Sequence, residues 1–238
     1  MAATSGTPNL DGRSDLPVMP SGLSMLSRRR TLLRWAAGCG AGYLAGWGGG
    51  LWGSDAWAGP QIEEPLSHAV RTALSAAVSA AAPPEPVLAN AAAQQAYTDW
   101  LQHASQRLAR YKKHATERQE FLQTLWYEAR RAGLPLSLVL GLVQVESAFR
   151  KYAISSAGAR GYMQVMPFWA HLIGDGDDGR LFHMQTNLRF GCVILRHYLD
   201  RERGDLFLGL GRYNGSRGQA AYPEAVLAAQ RLWVHAAD

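Results

Sequence analysis

Cysteine is nearly absent, with two in 238 residues. That excludes a disulfide scaffold and any multi-cysteine zinc or iron–sulfur site. The seven histidines form no HExxH or comparable ligand spacing, so no metal and no cofactor is expected. Charge of one sign is scarce as well. The formal net charge is +5, and residues 1–58 hold five arginines against three acids, leaving 19 basic and 16 acidic residues beyond. Such a mild excess suits an anionic polymer, and the arginines form no stripe that would read nucleic acid. No uninterrupted run of about 20 strongly apolar residues is present to cross a membrane. Period-2 segments of useful length are missing, and so is any repeat of 20–50 residues.

The first 58 residues read as an export signal. Residues 1–26 are polar and aperiodic, and Ser27-Arg28-Arg29-Arg30-Thr31-Leu32-Leu33-Arg34 supplies a basic start. A Gly- and Ala-rich apolar stretch runs to Trp52, and Ala56-Trp57-Ala58 is a small-residue cleavage site. The paired arginines and the dilute apolar stretch are twin-arginine-like, although Thr31 replaces the usual aromatic, so the general secretory route stays open. A retained anchor and a lipidated Cys39 are the competing readings, and Met25 is a second possible start. Residues 59–94 are Ala/Pro-rich and read as a spacer. Leu66, Val70, Leu74 and Val78 recur every four residues there, which predicts a short helix before Pro83, Pro84 and Pro86.

Residues 95–238 are a string of helices. Tyr97, Trp100, Leu101, Ala104, Leu108 and Tyr111 keep helical spacing. Thr116 and Gln119 have the spacing of a capping box, opening a helix that carries Phe121, Leu122, Leu125, Trp126 and Ala129 and stops at Gly133. Ser137 to Phe149 is almost entirely apolar and is expected at the centre. Residues 151–163 turn to Ser, Gly and Ala and read as a structured loop. Leu188 to Leu199, Leu206 to Tyr213, and Pro223 to Leu232 outline three further helices. The fold class is mostly α, with at most a minor β element.

Glu146 stands out because its helical face is shared with Val139, Leu142, Val143 and Phe149. A carboxyl against an apolar wall is desolvated, which raises its pKa into the range of a general acid at neutral pH. The competing reading is structural, with Glu146 reaching solvent or pairing with Arg150. Phe168 and Trp169 are open between a sugar-stacking platform and core, whereas His171, His183, His197 and Cys192 read as surface or packing residues. Asp175, Asp177 and Asp178 lack the twelfth-position acid of a calcium loop, since Thr186 stands there, and read as a solvated turn.

Four motifs then occur in order. They are Glu146-Ser147; Ser155-Ser156 with Gly161-Tyr162-Met163-Gln164 and Pro167; Asn187 to Gly191; and Arg212-Tyr213-Asn214-Gly215. Together they resemble the catalytic domain of lytic transglycosylases of the soluble (SLT) type, which is goose-lysozyme-like, over about residues 95–235. The resemblance implies that Glu146 is the sole catalytic acid/base. It implies that Ser155 and Gln164 line the cleft, that Met163 packs beneath a sugar, and that Tyr213 and Asn214 complete the site. Tyr162 stands where the family has Leu and Arg212 where it has Ala, departures that bear on glycan preference.

No Asp or Glu lies between Arg150 and Gly174, so the loop facing Glu146 offers no second carboxylate of the kind ordinary glycosidases use. The resemblance implies non-hydrolytic cleavage of the bond between N-acetylmuramic acid and N-acetylglucosamine in peptidoglycan, leaving a 1,6-anhydro end. The expected partner is the glycan strand, the expected location the periplasm of a Gram-negative-type bacterium, and no protein partner is named. A hydrolytic muramidase and a non-catalytic peptidoglycan-binding module are the alternatives.

Overall fold

A computed structural model describes residues 61–79 and 88–235. Contacts divide the chain into two units, Met1–Gly50 and Leu51–Asp238, and every described residue belongs to the second. The export signal read at residues 1–58 and the proline break after residue 79 lie outside the described residues. Eight α-helices follow one another among the described residues: α1 (His68–Ser79), α2 (Ala91–Leu108), α3 (Ala115–Arg131), α4 (Leu136–Ser147), α5 (Pro167–Ile173), α6 (Met184–Arg201), α7 (Leu206–Asn214) and α8 (Ala221–Trp233). A 3-10 turn at Asp178–Phe182 sits between α5 and α6. Among the described residues the only β pairing is two isolated bridges, Ile154 with Arg160 and Arg160 with Val165. The mostly-α expectation holds.

Local signals set several helix ends. The Asn90 side chain accepts from the Ala93 amide at 2.9 Å and caps α2, and Asp205 does the same for α7 through Leu208. Gly133 and Gly215 take positive φ just past α3 and α7, where a side chain would be strained. The capping box expected at Thr116 does not form. His114 is the N-cap of α3, without a side-chain bond, and Thr116 lies inside the helix. The start moves earlier because Arg118 donates to the carbonyls of Lys112 at 2.8 Å and Lys113 at 2.7 Å, folding the preceding loop onto the first turn.

The apolar segment α4 is buried over nearly its whole length and packs chiefly on α8. Gly141 makes that approach possible: a Cβ there would sit 2.6 Å from the Gln230 amide nitrogen and 2.8 Å from its Cα. Since the obstacle is backbone, Gly141→Ala is expected to lower stability by about 3 kcal/mol, the upper range for overpacking. Urea denaturation checks this, and an unchanged midpoint would mean the two helices slide apart freely.

Helix α6 packs against α3, α7 and α1. Its Arg189 donates from Nε and Nη2 to Oε1 of buried Glu128 on α3, at 3.1 and 3.0 Å, and Arg131 pairs with the other carboxylate oxygen at 3.2 Å. The stretch read as a spacer does more than separate. Its helix, α1, buries Leu74 and Val78 and packs on α5 and α6, because the four-residue apolar spacing gives it one face to cover. Residues 61–67 before it are tied down too. Gln61 accepts from Trp169 Nε1 at 2.9 Å, and Glu64 pairs with Arg201 and, at 2.7 Å, with Arg212. Arg212 also pairs with Glu202, whose carboxyl Arg217 first and Arg212 with it hold down at about 2.

Candidate active site

The end of α4 is set by an unusual turn. Ala148 and Phe149 both adopt left-handed backbone, with φ of 47° and 61°, although neither is glycine. Each costs on the order of 1 kcal/mol, and such strain persists only where packing over-determines it. Here Phe149 is gripped by Tyr111, Phe121 and Trp233, with ring centroids 4.9, 5.7 and 5.4 Å away. Two strained residues therefore follow directly after Glu146 and Ser147 and send the chain back across the helix end. The Ser147 hydroxyl donates to the Tyr162 carbonyl at 2.7 Å, which pins the returning loop there.

Asn187 of α6 ties that loop down with both of its donor hydrogens and one acceptor site. Its Oδ1 accepts from the Met163 amide at 2.8 Å, and its Nδ2 donates to the carbonyls of Arg160 and Leu181, both at 2.8 Å. Met163 is fully buried and lies over Gly191, where a Cβ would come within 2.3 Å of its sulfur. Gln164 is the third strained residue of the region, at φ 47°, and its Nε2 donates to Ala153 and Gly161 carbonyls at 3.1 and 2.9 Å. Its Oε1 is buried without a partner. Ser155 turns the loop by accepting from the Ala159 amide at 3.1 Å. Tyr213 is buried and donates to the Met163 carbonyl at 2.7 Å. Asn214, the last residue of α7, accepts from the Ser216 hydroxyl at 2.9 Å.

Glu146 closes this arrangement. It is 2% exposed, so the solvent-reaching reading of the sequence does not hold, and Arg150 instead donates to the Ser147 carbonyl at 3.0 Å. Burial pushes the Glu146 carboxyl up to about 8, against the opposing pull of a hydrogen bond from Tyr222. That bond, from the Tyr222 hydroxyl to Oε1, is 2.5 Å long. Oε2 is buried with no partner. At neutral pH the carboxyl is therefore a neutral acid. With Oε1 already accepting from Tyr222, the acid proton belongs on Oε2, where nothing competes for it. Burial and the charge of Glu146 together push the hydroxyls of Tyr213 and Tyr222 well above their ordinary range, so both stay protonated donors.

Tyr222 was not singled out in the sequence. It lies 76 positions from Glu146, at the first turn of a helix, and only the packing of α8 on α4 brings the two together. Trp169 and Cys192 are core residues, 2% and 0% exposed. The two departures from the family pattern are bound to groups other than the carboxyl. Tyr162 packs on Phe121 and accepts from Lys112 Nζ at 2.9 Å, while Arg212 is consumed by Glu64 and Glu202.

With this geometry in view, the comparison with known sequences is decisive for residues 124–226. They match the transglycosylase SLT domain. The resemblance read from the motifs is thereby borne out, and the SLT region runs from within α3 into α8, enclosing all six candidate residues and Tyr222. Curated relatives include membrane-bound lytic murein transglycosylase C of Histophilus somni (strain 2336), 46% identical over 119 residues, which cover 44% of this chain and 33% of that protein. The protein of the same name from Actinobacillus pleuropneumoniae serotype 5b (strain L20) is 47% identical over 84 residues, covering 32% and 23%. The matched part thus spans a third or less of the length of these relatives. Among solved structures, an inactive mutant of lytic transglycosylase Slt from Pseudomonas aeruginosa superposes with a TM-score of 0.43 at 22% identity, over 59% of this chain and 29% of that one.

Proposed function

We propose that this chain is a peptidoglycan lytic transglycosylase that cleaves the β-1,4 bond between N-acetylmuramic acid and N-acetylglucosamine without water. The observation that carries the reading is the buried Glu146 carboxyl, its pKa pushed by burial up to about 8, with one oxygen held by Tyr222 and the other unpartnered. Glu146 gives its Oε2 proton to the glycosidic oxygen as the bond from C1 to that oxygen breaks. The positive charge growing at C1 is met by the sugar's own N-acetyl group. The carboxylate left behind gains from the short hydrogen bond of Tyr222, since an ionised acceptor strengthens such bonds. It then takes the proton of the C6 hydroxyl, whose oxygen closes on C1 to give the 1,6-anhydro ring. Atoms balance with no water consumed, and the intramolecular oxygen replaces a second carboxylate by proximity.

Met163, held by Asn187 and Tyr213, forms the floor of the proposed site, and Gln164 and Ser155 its wall. The basic, apolar, small-residue order of residues 1–58 and the words membrane-bound in the relatives' name support export to the periplasm. No helix among the described residues is long and apolar enough to cross a membrane.

The test is mass spectrometry of muropeptides released from purified sacculi by the full chain. Fragments lighter by one water, with ends that borohydride cannot reduce, are expected. Reducible ends would instead make the enzyme a muramidase. Binding to sacculi without release would make it a binding module.

A further inference from the structure

A chain of polar groups behind the floor of the proposed site starts outside the SLT region. Gln61, Trp169, Tyr213 and Met163 are all buried. The indole N–H of Trp169 can only donate, and it donates to Oε1 of Gln61 at 2.9 Å. That fixes which way the Gln61 amide points and leaves its Nε2 end to give. The same side chain hydrogen-bonds the Tyr213 hydroxyl. With an amide hydrogen on its oxygen, the hydroxyl sends its own proton to the Met163 carbonyl, at 2.7 Å. Donor and acceptor thus alternate from Trp169 through Gln61 and Tyr213 to Met163, and mutual polarisation along such a chain favours this one direction.

Two further observations bear on what the chain does. The carbonyl just before that of Met163 belongs to Tyr162 and accepts from Ser147, the residue after Glu146. Consecutive carbonyls of the floor are therefore tied to α4, which carries the acid, and to α7. Gln61 itself is fastened from the next turn of chain, because Glu64 pairs with Arg201 at the end of α6 and, at 2.7 Å, with Arg212. Arg212 precedes Tyr213 and stands where the family has Ala, so the clip depends on a residue outside the family pattern.

We propose that Gln61 is a positioning residue for the cleavage reaction: by donating to Tyr213 it fixes that hydroxyl on the Met163 carbonyl and holds the floor of the site in register with Glu146. The proposal rests on the function argued above and deepens it, because the working enzyme then begins at Gln61 rather than near residue 95. Gln61 acts through Tyr213 and not on the reacting atoms. Cleavage after Ala58, as the sequence predicts, leaves it on the exported chain.

The test is a double-mutant cycle on the full chain with Gln61→Met and Tyr213→Phe, read once as stability and once as rate. Methionine keeps the length of glutamine and donates nothing. In urea denaturation each substitution is expected to cost less in the presence of the other than alone, which reports the bond between the two side chains. In muropeptide release from sacculi, Gln61→Met is expected to lower kcat about tenfold with little change in KM, and to have no effect in the Tyr213→Phe background. An unchanged kcat, or losses that simply add, would overturn the proposal and leave Gln61 a structural tie. Gln61→Glu gives a second reading should Gln61→Met not fold. It keeps the acceptor for Trp169, donates to Tyr213 while protonated, and can only accept once ionised. Its rate relative to wild type is expected to be near one at pH 5 and about tenfold lower at pH 9. A ratio that stays level would overturn the proposal. A wild type that releases nothing, with the stability coupling intact, would sink the proposed function and leave the tie between Gln61 and Tyr213 standing.

Discussion

Glu146→Gln is expected to abolish strand cleavage and to make the protein more stable near pH 7.5. The loss of activity follows from removing the carboxylic acid of the proposed site, worth at least about a thousandfold in kcat. The gain in stability follows from linkage. The carboxyl's pKa is about 8 in the folded protein and 4.5 in an exposed setting. Between those values the unfolded chain sheds the proton while the folded protein keeps it, so ionisation favours unfolding and wild-type stability falls as pH rises from about 4.5 to about 8. Glutamine has no proton to lose, and its amide oxygen still accepts from Tyr222. The variant should therefore be more stable by on the order of 4 kcal/mol at pH 7.5, roughly 10 °C in Tm. Below pH 4.5 both side chains are neutral and the curves converge. Calorimetric scans from pH 4 to 9 check this. A constant offset across that range would mean that Glu146 is not held neutral by burial, and surviving cleavage would place the acid elsewhere.

The stability cost at Glu146 belongs with the strain around it. Three of the four non-glycine residues with positive φ among the described residues, Ala148, Phe149 and Gln164, lie in the segment that directly follows α4. Together with a buried acid they form one destabilised corner, and the aromatic grip on Phe149 and the close contact of α4 with α8 at Gly141 hold it. Local preference and tertiary packing conflict there, as expected of a site kept for chemistry rather than stability.

That conflict also explains what the sequence could and could not disclose. Long helices with one apolar face were legible, and the burial of Glu146 followed from its neighbours at three, four and seven positions. Helix α5 and the 3-10 turn were not, because seven and five residues are too few to show a period. Thr116 misled because a capping box is a local signal, whereas the clamp of Arg118 on the preceding carbonyls set the start of α3. The packing of α1 onto α5 and α6 was invisible because a four-residue spacing shows a face and not its partner. Tyr222 was missed for the same reason. Its one sequence neighbour of note is Pro223, and its role exists only once α8 crosses α4. Arg212 and Tyr162 showed as departures from a pattern, yet their partners Glu64, Glu202 and Lys112 come from distant segments that no motif includes.

Tyr222→Phe is expected to lower kcat by about 10- to 100-fold and to move the alkaline limb of activity upward. In wild type that limb is expected to fall above about pH 8, where Glu146 would lose the proton it must donate. The Tyr222 hydroxyl favours the ionised carboxyl and so holds that pKa below where burial alone would put it. Without it the carboxyl keeps its proton more tightly, and the pH profile stays flat further into the alkaline range. The rate drops because the step that leaves Glu146 charged in an apolar pocket loses its one donor, an effect of about 2–3 kcal/mol for a bond to a developing anion. The tyrosine bonds only the carboxyl and would act through it, so KM is expected to change little. A merely structural tyrosine would leave the limb where it is, whatever happened to the rate. In the Glu146→Gln background, Tyr222→Phe should no longer affect how stability depends on pH near this site, since the titrating group is gone. A pH-dependent shift that persisted there would show that Tyr222 answers to another acid.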